Sequence, residues 1–308
     1  MNKTAKIVIG AIVLVLVVWA VAATQKKEKT QTKTNGEVYK IGVILPLTSD
    51  AAIYGESGNN VLQLAQEEIN NAGGINGKKI QLIVEDGKCN GKDGANAAQK
   101  LVNVDKVQVI LGGFCSSESL AAVPVAEAAK VVVFSSSSSS PKLTGISKYF
   151  FRNYPSDSAQ GTVLAEVANK KGWKKVAFIV ENKDYPLGIY QAFDQRFIQL
   201  GGTTTKEEFP PEATDFRTII AKSKAANADA LFLDTQAPAA IERILKQIQE
   251  MKWKPQLLVN DVLPGDPPTV ERNKNILEGT LSAEFGVDTN NPKFQHLLNT
   301  YQKNTGKN

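Results

Sequence analysis

From Tyr39 onward, short uninterrupted apolar runs alternate with stretches of helical periodicity, and this alternation restricts the fold more than any other feature of the chain. The runs YKIGVILPL, KKIQLIVED, VQVILGGF and VVVFSSS are separated by helices expected over 55–71, 94–104 and 117–130. A strand that is apolar on both faces has to be covered on both faces. Strands joined by helices therefore run parallel, with right-handed crossovers, in a doubly wound α/β sheet. After YFFRNYPSDS the cycle begins again, with helices expected over 159–171, 187–200, 216–226 and 238–251 between KKVAFIVE, GTTTKEEF, ADALFLDT and PQLLVND. The reading is two α/β lobes, residues 38–154 and 155–285, joined by a hinge near Pro155, and 308 residues is a suitable length for two domains. The halves share architecture without a detectable sequence repeat.

The first 37 residues follow different rules. Lys3 and Lys6 precede an apolar run from Ile7 to Ala23, and Ala20-Val21-Ala22 supplies the small residues that a signal peptidase reads. Residues 1–23 are therefore a signal peptide or a signal anchor. The run of 17 residues lies between a long signal core and a short membrane helix, so cleavage and retention are both open. No cysteine follows it for lipid attachment. Residues 24–37, rich in Lys, Thr and Gln, read as a solvated linker. The chain is expected to be exported, to the periplasm or another extracytoplasmic space.

Charge and residue counts remove several classes of function. The net charge is +5, but residues 1–38 hold six lysines against two glutamates, which leaves +1 for the body. A nearly neutral body without a basic stripe has no electrostatic hold on nucleic acid. His296 is the only histidine, on an expected terminal helix, and there is no GxSxG elbow, HExxH or phosphate-binding loop. The expectation is a protein that is not an enzyme, with no cofactor and no metal.

Outside the cytoplasm a pair of thiols is normally oxidised, so Cys89 and Cys115 are expected to form one disulfide. Each follows a predicted strand, and neighbouring parallel strands would bring their ends within bonding reach. The alternative is a pair of buried free thiols.

Open α/β sheets place ligands beyond the carboxyl ends of their strands. In the first lobe those positions hold Thr48-Ser49-Asp50 with Tyr54, then Cys115-Ser116-Ser117, then Ser135 to Ser140. Hydroxyls and free N–H groups at helix N-termini suit a carboxylate or another small anion. Ser116 and Ser117, with Glu118 nearby, also read as an ordinary N-cap, and the serine run as low complexity. In the second lobe the equivalent positions hold Glu181 to Tyr185, Asp234-Thr235-Gln236 and Asn260-Asp261. A carboxylate there would pair with a cation, so the two walls together fit a zwitterion such as an amino acid. The competing role for Asp234 and Asp261 is helix capping.

The segments IGVILPLTSDAAIYGESGNN, AGGINGKKIQLIVEDGKCN, GGFCSSES, VVVFSSSSSSPKLTG, FFRNYPSDSAQG and ENKDYPLG resemble the type I periplasmic solute-binding proteins of branched-chain amino acid (leucine/isoleucine/valine) ABC importers. The resemblance runs from Tyr39 to the end of the chain. It implies that Ser116 holds a substrate carboxylate and that Ser137 and Ser139 supply backbone and hydroxyl donors. It further implies that Asp261, standing in place of a glutamate, takes the α-amino group, and that Tyr54 and Tyr185 line the side-chain pocket and its lid. Gln236 falls near a position where the family has another tyrosine, which removes part of the apolar wall. The family continues beyond this chain, so a C-terminally truncated form of the fold is expected, with residues 286–308 as a return helix on the first lobe. The implied partners are a small-molecule ligand and the membrane subunits of an ABC permease, with no nucleic acid. The implied mechanism is capture in the cleft by hinge closure. A membrane-anchored sensory ectodomain using the same cleft is the alternative.

Overall fold

The computed structural model describes residues 38–306; the expected signal segment 1–23 and linker 24–37 lie outside the described residues. Strand β1 (Tyr39–Leu45) is followed by helix α1 (Ala52–Asn71), β2 (Ile80–Asp86), α2 (Gly91–Asn103), β3 (Val109–Leu111), α3 (Ser116–Ala128), β4 (Val132–Ser135) and β5 (Phe150–Arg152). These strands form a parallel sheet in the order β2-β1-β3-β4-β5, with Tyr39 opposite Ile80 and Ile41 opposite Val109. The chain then enters a second parallel sheet. Helix α4 (Asp157–Lys170) leads to β6 (Lys175–Glu181), α5 (Asp184–Gln199), β7 (Thr203–Phe209), α6 (Arg217–Ala225), β8 (Ala230–Asp234), α7 (Pro238–Glu250) and β9 (Leu257–Val259), in the order β7-β6-β8-β9. Helices α8 (Pro267–Leu277) and α9 (Pro292–Thr305) complete the described chain. The fold is thus two parallel-sheet α/β lobes, with the switch in strand order between β1 and β3 in one and between β6 and β8 in the other.

The apolar runs account for the burial. Val43 and Ile44 of β1, Ile110 of β3 and Val133 of β4 are buried, and Ile44, Ile110 and Val133 share one cluster with Leu101 of α2 and Val123 of α3. In the second lobe, residues 176–180 are buried throughout and aromatic packing dominates. The Phe178 ring lies 4.7 Å from that of Phe232 and 5.0 Å from that of Phe193, centroid to centroid. First-lobe packing is less closed on one side. An apolar groove of about 490 Å³, lined by Leu62, Leu111, Phe134, Phe294 and Leu298, runs between α1 and α9. Helix α9 buries none of its residues, and His296 reaches Glu68 of α1 at 2.9 Å from its exposed surface. Among the described residues no helix is long and apolar enough to cross a membrane.

Three local expectations are corrected. Several helices begin two or three residues earlier than their apolar periodicity suggests: α2 starts after Asn90, whose side chain accepts the Asp93 N–H at 2.9 Å, and α4 after Ser156, which caps Ser158. Polar first turns carry no apolar signal, although the caps do. The segment Phe150–Arg152 is not a connection but a fifth strand, paired with Val133–Ser135. Helix α8 is absent from the expected elements even though Asp266 followed by two prolines is a recognisable helix start.

The disulfide Cys89–Cys115 is present, with Cα atoms 5.2 Å apart. Its parent strands are not neighbours, because β1 lies between β2 and β3. The loops after those strands instead meet across the end of β1. In the chain-entropy model a closure spanning 26 positions contributes about 3.5 kcal/mol. The double substitution Cys89→Ser, Cys115→Ser is expected to lower unfolding free energy in urea by roughly that amount. Truncation of the second-lobe core by Phe232→Ala is expected to cost about 3–5 kcal/mol in the same assay.

Candidate functional site

The loops at the carboxyl ends of both sheets face one another, and local chemistry sets the shape of each. In the first lobe, Glu118 is completely buried and accepts the N–H groups of Cys89 at 2.8 Å and Cys115 at 2.9 Å. Gly94 and Gly113 make room for it: a Cβ at Gly113 would lie 2.3 Å from the Glu118 Cβ, and one at Gly94 would lie 2.8 Å from its Cα. The N-cap of α3 is Cys115, not Ser116 or Ser117. Ser116 is therefore the first helical residue, where N–H groups have no intrahelical acceptor and the helix dipole favours an anion.

The serine run is mainly an internal network. Ser135 Oγ accepts the N–H groups of Ser137 and Ser138 and donates to the Gly113 carbonyl at 2.9 Å. Ser116 Oγ accepts the N–H groups of Ser139 at 3.2 Å and Ser140 at 3.1 Å. The Ser139 hydroxyl bonds to Asp157, whose carboxyl is pushed up to about 8, chiefly by burial. This corrects the expected donor set: the backbone N–H groups of Ser137 and Ser139 are taken within the protein. Among the described residues, the Ser116 hydroxyl hydrogen and the backbone N–H groups of Ser116 and Ser117 at the start of α3 have no acceptor.

The second-lobe wall is acidic and aromatic. Asp261 is half-buried and accepts hydrogen bonds from two phenols, Tyr154 at 3.0 Å on Oδ2 and Tyr185 on Oδ1. Burial, then the Asp261 charge, pushes the Tyr185 hydroxyl well above its ordinary range. Burial raises Tyr54 in the same way, and its ring stacks on Phe114 at 5.5 Å. Neither Asp234 nor Asp261 caps a helix; Ala237 precedes α7 and Asp266 precedes α8. Asp234 is fully buried and accepts from Asn260 Nδ2 at 2.9 Å, which joins the ends of β8 and β9. Buried Glu181 accepts the Gln236 N–H at 2.9 Å and holds that loop to β6.

All seven candidate residues, Tyr54, Ser116, Ser137, Ser139, Tyr185, Gln236 and Asp261, line one cavity of about 320 Å³ between the lobes. Phe114, Ser136, Tyr154, Val262 and Gly265 line it too and were not among the candidates. The signal for Tyr154 is its position at the crossing between lobes, and for Phe114 its place beside Cys115. Side chains bridge the lobes around the mouth: Arg243 to Asp50 at 2.7 Å, Lys183 to the Cys89 carbonyl at 2.6 Å, and Asp184 to Ser117 and Lys142. Thr48, in contrast, is bound to Asp86 at 2.6 Å and orders its own loop.

Comparison with known proteins agrees on the family and the fold. A family model described as periplasmic binding protein matches residues 38–308. A Pseudomonas aeruginosa protein named amino acid binding protein is 30% identical over 259 residues, covering 80% of this chain and 67% of its own length. The structure of leucine binding protein LivK from Thermotoga maritima superposes with a TM-score of 0.77 at 28% identity, covering 88% of this chain and 77% of that one. Substrate binding protein LivJ from Streptococcus pneumoniae, solved with isoleucine, gives 0.73 at 27% identity, with coverages of 88% and 78%.

The buried carboxyl at the foot of α3 sets a pH dependence. Burial pushes Glu118 from 4.5 up to about 7 against the lowering effect of its backbone donors. Between those values the folded protein keeps a proton that the unfolded chain has released, so stability falls as pH rises through that interval. The shift corresponds to a change on the order of 3 kcal/mol. Urea unfolding across pH 4 to 8 is expected to show this decline, with a shallower slope in Glu118→Gln.

Proposed function

We propose that this chain, which belongs to the periplasmic binding protein family, captures an amino acid between its two lobes and presents it to the membrane subunits of an ABC importer. Proteins of this family bind small solutes outside the cytoplasm, and the relatives include binding proteins for amino acids. The observation that carries the reading is the single cavity with opposite chemistry on its two walls. Ser116 and the first turn of α3 lie on one side and Asp261 on the other. A carboxylate suits the hydroxyl and helix N-terminus, and an ammonium suits Asp261.

Such a site works by closure. Ligand contacts made to both lobes lower the free energy of the closed arrangement alone, and a permease reads the ligand through that change of shape. The bridges from Arg243 to Asp50 and from Lys183 to Cys89 support this, since they exist only while the lobes meet. They are exposed or partly buried and contribute modestly, which leaves the ligand to decide the balance. Binding, orientation and release are the whole chemistry of this reading; no bond is made or broken.

A thermal-shift screen with amino acids is expected to raise the unfolding midpoint for those that bind, because they bind the folded state. With the best of these, Ser116→Ala and Asp261→Ala are each expected to weaken affinity by about 1.5–3 kcal/mol in calorimetric titration, the range for hydrogen bonds to charged groups. Unchanged affinity in both variants rejects this site.

A further inference from the structure

The two phenols that hold Asp261 come from different parts of the chain. Tyr185 stands in the first turn of α5 and is buried in the second-lobe core, so it belongs to the same body as Asp261. Tyr154 belongs to the first crossing between the lobes. Just before it the Asn153 N–H reaches the Ser135 carbonyl at 3.4 Å, and just after it the Asp157 N–H reaches the Ser139 carbonyl at 3.0 Å, so both ends of this crossing are pinned to first-lobe loops. Pro155 follows Tyr154, and a residue before proline is restricted to extended backbone, which makes the crossing a stiff place from which to project a side chain. From there the Tyr154 hydroxyl donates to Asp261 Oδ2 at 3.0 Å, across 107 positions of sequence. Burial, then the charge of Asp261, pushes that hydroxyl well above its ordinary range, so it stays protonated as a donor.

The same ring also meets the second crossing. Leu281 is bridged to Leu258 of β9 in the second lobe, whereas α9 reaches α1 of the first through His296 and Glu68, so the segment between Leu281 and α9 carries the chain back from one lobe to the other. Phe285 in this segment packs edge-on against Tyr154, with ring centroids 5.3 Å apart. Two residues earlier, the Ala283 carbonyl accepts from Gln160 of α4 at 2.6 Å, which fixes the returning chain beside the first crossing. Tyr154 lines the ligand cavity, and Phe285 stands behind it, outside the lining.

We propose that Tyr154 is a positioning residue for capture: as a post at the hinge, buttressed by Phe285, it sets the Asp261 carboxylate for the ammonium of the amino acid. The inference rests on amino-acid capture in this cleft. Recognition of the amino group then depends on a pair of rings at the two crossings, one of which does not reach the cavity. The carboxylate end of the amino acid, facing Ser116 and the start of α3, does not depend on that pair. A carboxylate already oriented before the amino acid arrives loses less freedom on binding, and that difference is what the phenol contributes.

The test is calorimetric titration of the full chain, Tyr154→Phe and Phe285→Leu with L-leucine and with 4-methylpentanoate, the same molecule without its amino group. Circular dichroism establishes that each variant is folded. Tyr154→Phe is expected to weaken leucine binding about tenfold, as for the loss of a hydrogen bond to a charged group, and to leave 4-methylpentanoate within about twofold of wild type. Phe285→Leu is expected to weaken leucine selectively as well, by about threefold, the size of an edge-to-face contact. In an Asp261→Asn background, Tyr154→Phe is expected to add no further loss, because the group it positions is already altered. Equal losses for both compounds in Tyr154→Phe mark a general structural role and overturn the assignment, and so does leucine binding equal to wild type. If Phe285→Leu binds both compounds as wild type does, the role of the second crossing is overturned. If 4-methylpentanoate binds too weakly to titrate, the Asp261→Asn background decides, and an undiminished loss there overturns the assignment. Each of these failures leaves amino-acid capture standing. Where another amino acid of the thermal-shift screen binds more tightly than leucine, it and its deaminated counterpart replace the pair. If no amino acid binds wild type, capture itself is rejected, and the role of Tyr154 with it.

Discussion

The first-lobe half of the cleft depends on the buried carboxylate of Glu118. Its two oxygens hold the N–H groups of Cys89 and Cys115, so one side chain ties together the loops that leave β2 and β3 on either side of β1. The disulfide closes the same gap covalently. Gly94 and Gly113 lack side chains where Glu118 has to pass. Together these features define where α3 begins, and so place Ser116 at the rim of the cavity with its dipole directed outward.

The opposite wall is built on different physics. Carboxylates accumulate there: Asp157, Asp234 and Glu181 are buried, and burial, the leading cause in each, pushes all three upward. Each has a positional task. Asp234 joins β8 to β9 through Asn260, Glu181 holds the backbone of Gln236, and Asp157 holds the hydroxyl of Ser139. Asp261 is the one that reaches the cavity, with two tyrosines orienting it. An acidic wall facing a hydroxyl wall is an asymmetric container, and asymmetry of this kind fixes which way round a zwitterion can lie.

Much of this was legible in the chain because the physics involved is local. The apolar run KKVAFIVE had to be a central strand, since residues 176–180 leave no polar face for water. Strand-end positions followed from parallel topology, and the seven residues taken from them share one cavity. The strand Phe150–Arg152 was harder to see: three residues are too few for a period, and it exists because Val133 to Ser135 offer an open edge. The donor assignments within the serine run were also hidden, since six consecutive hydroxyls give no indication of which face Ser116, which Gly113 and which the solvent.

The sequence by itself determined the architecture: two parallel sheets, the pairing of Cys89 with Cys115, and the loops that meet in the cleft. Apolar periodicity, helix caps and the redox state of an exported chain act over a few residues or through composition, and those are readable. The tertiary structure decided how the polar groups divide their hydrogen bonds. It assigned Ser139's N–H to Ser116 and Asp261's oxygens to Tyr154 and Tyr185, and it left Gln236 Oε1 without a partner among the described residues. Those choices depend on ångström-scale distances between residues 23 to 107 positions apart, which no local pattern encodes.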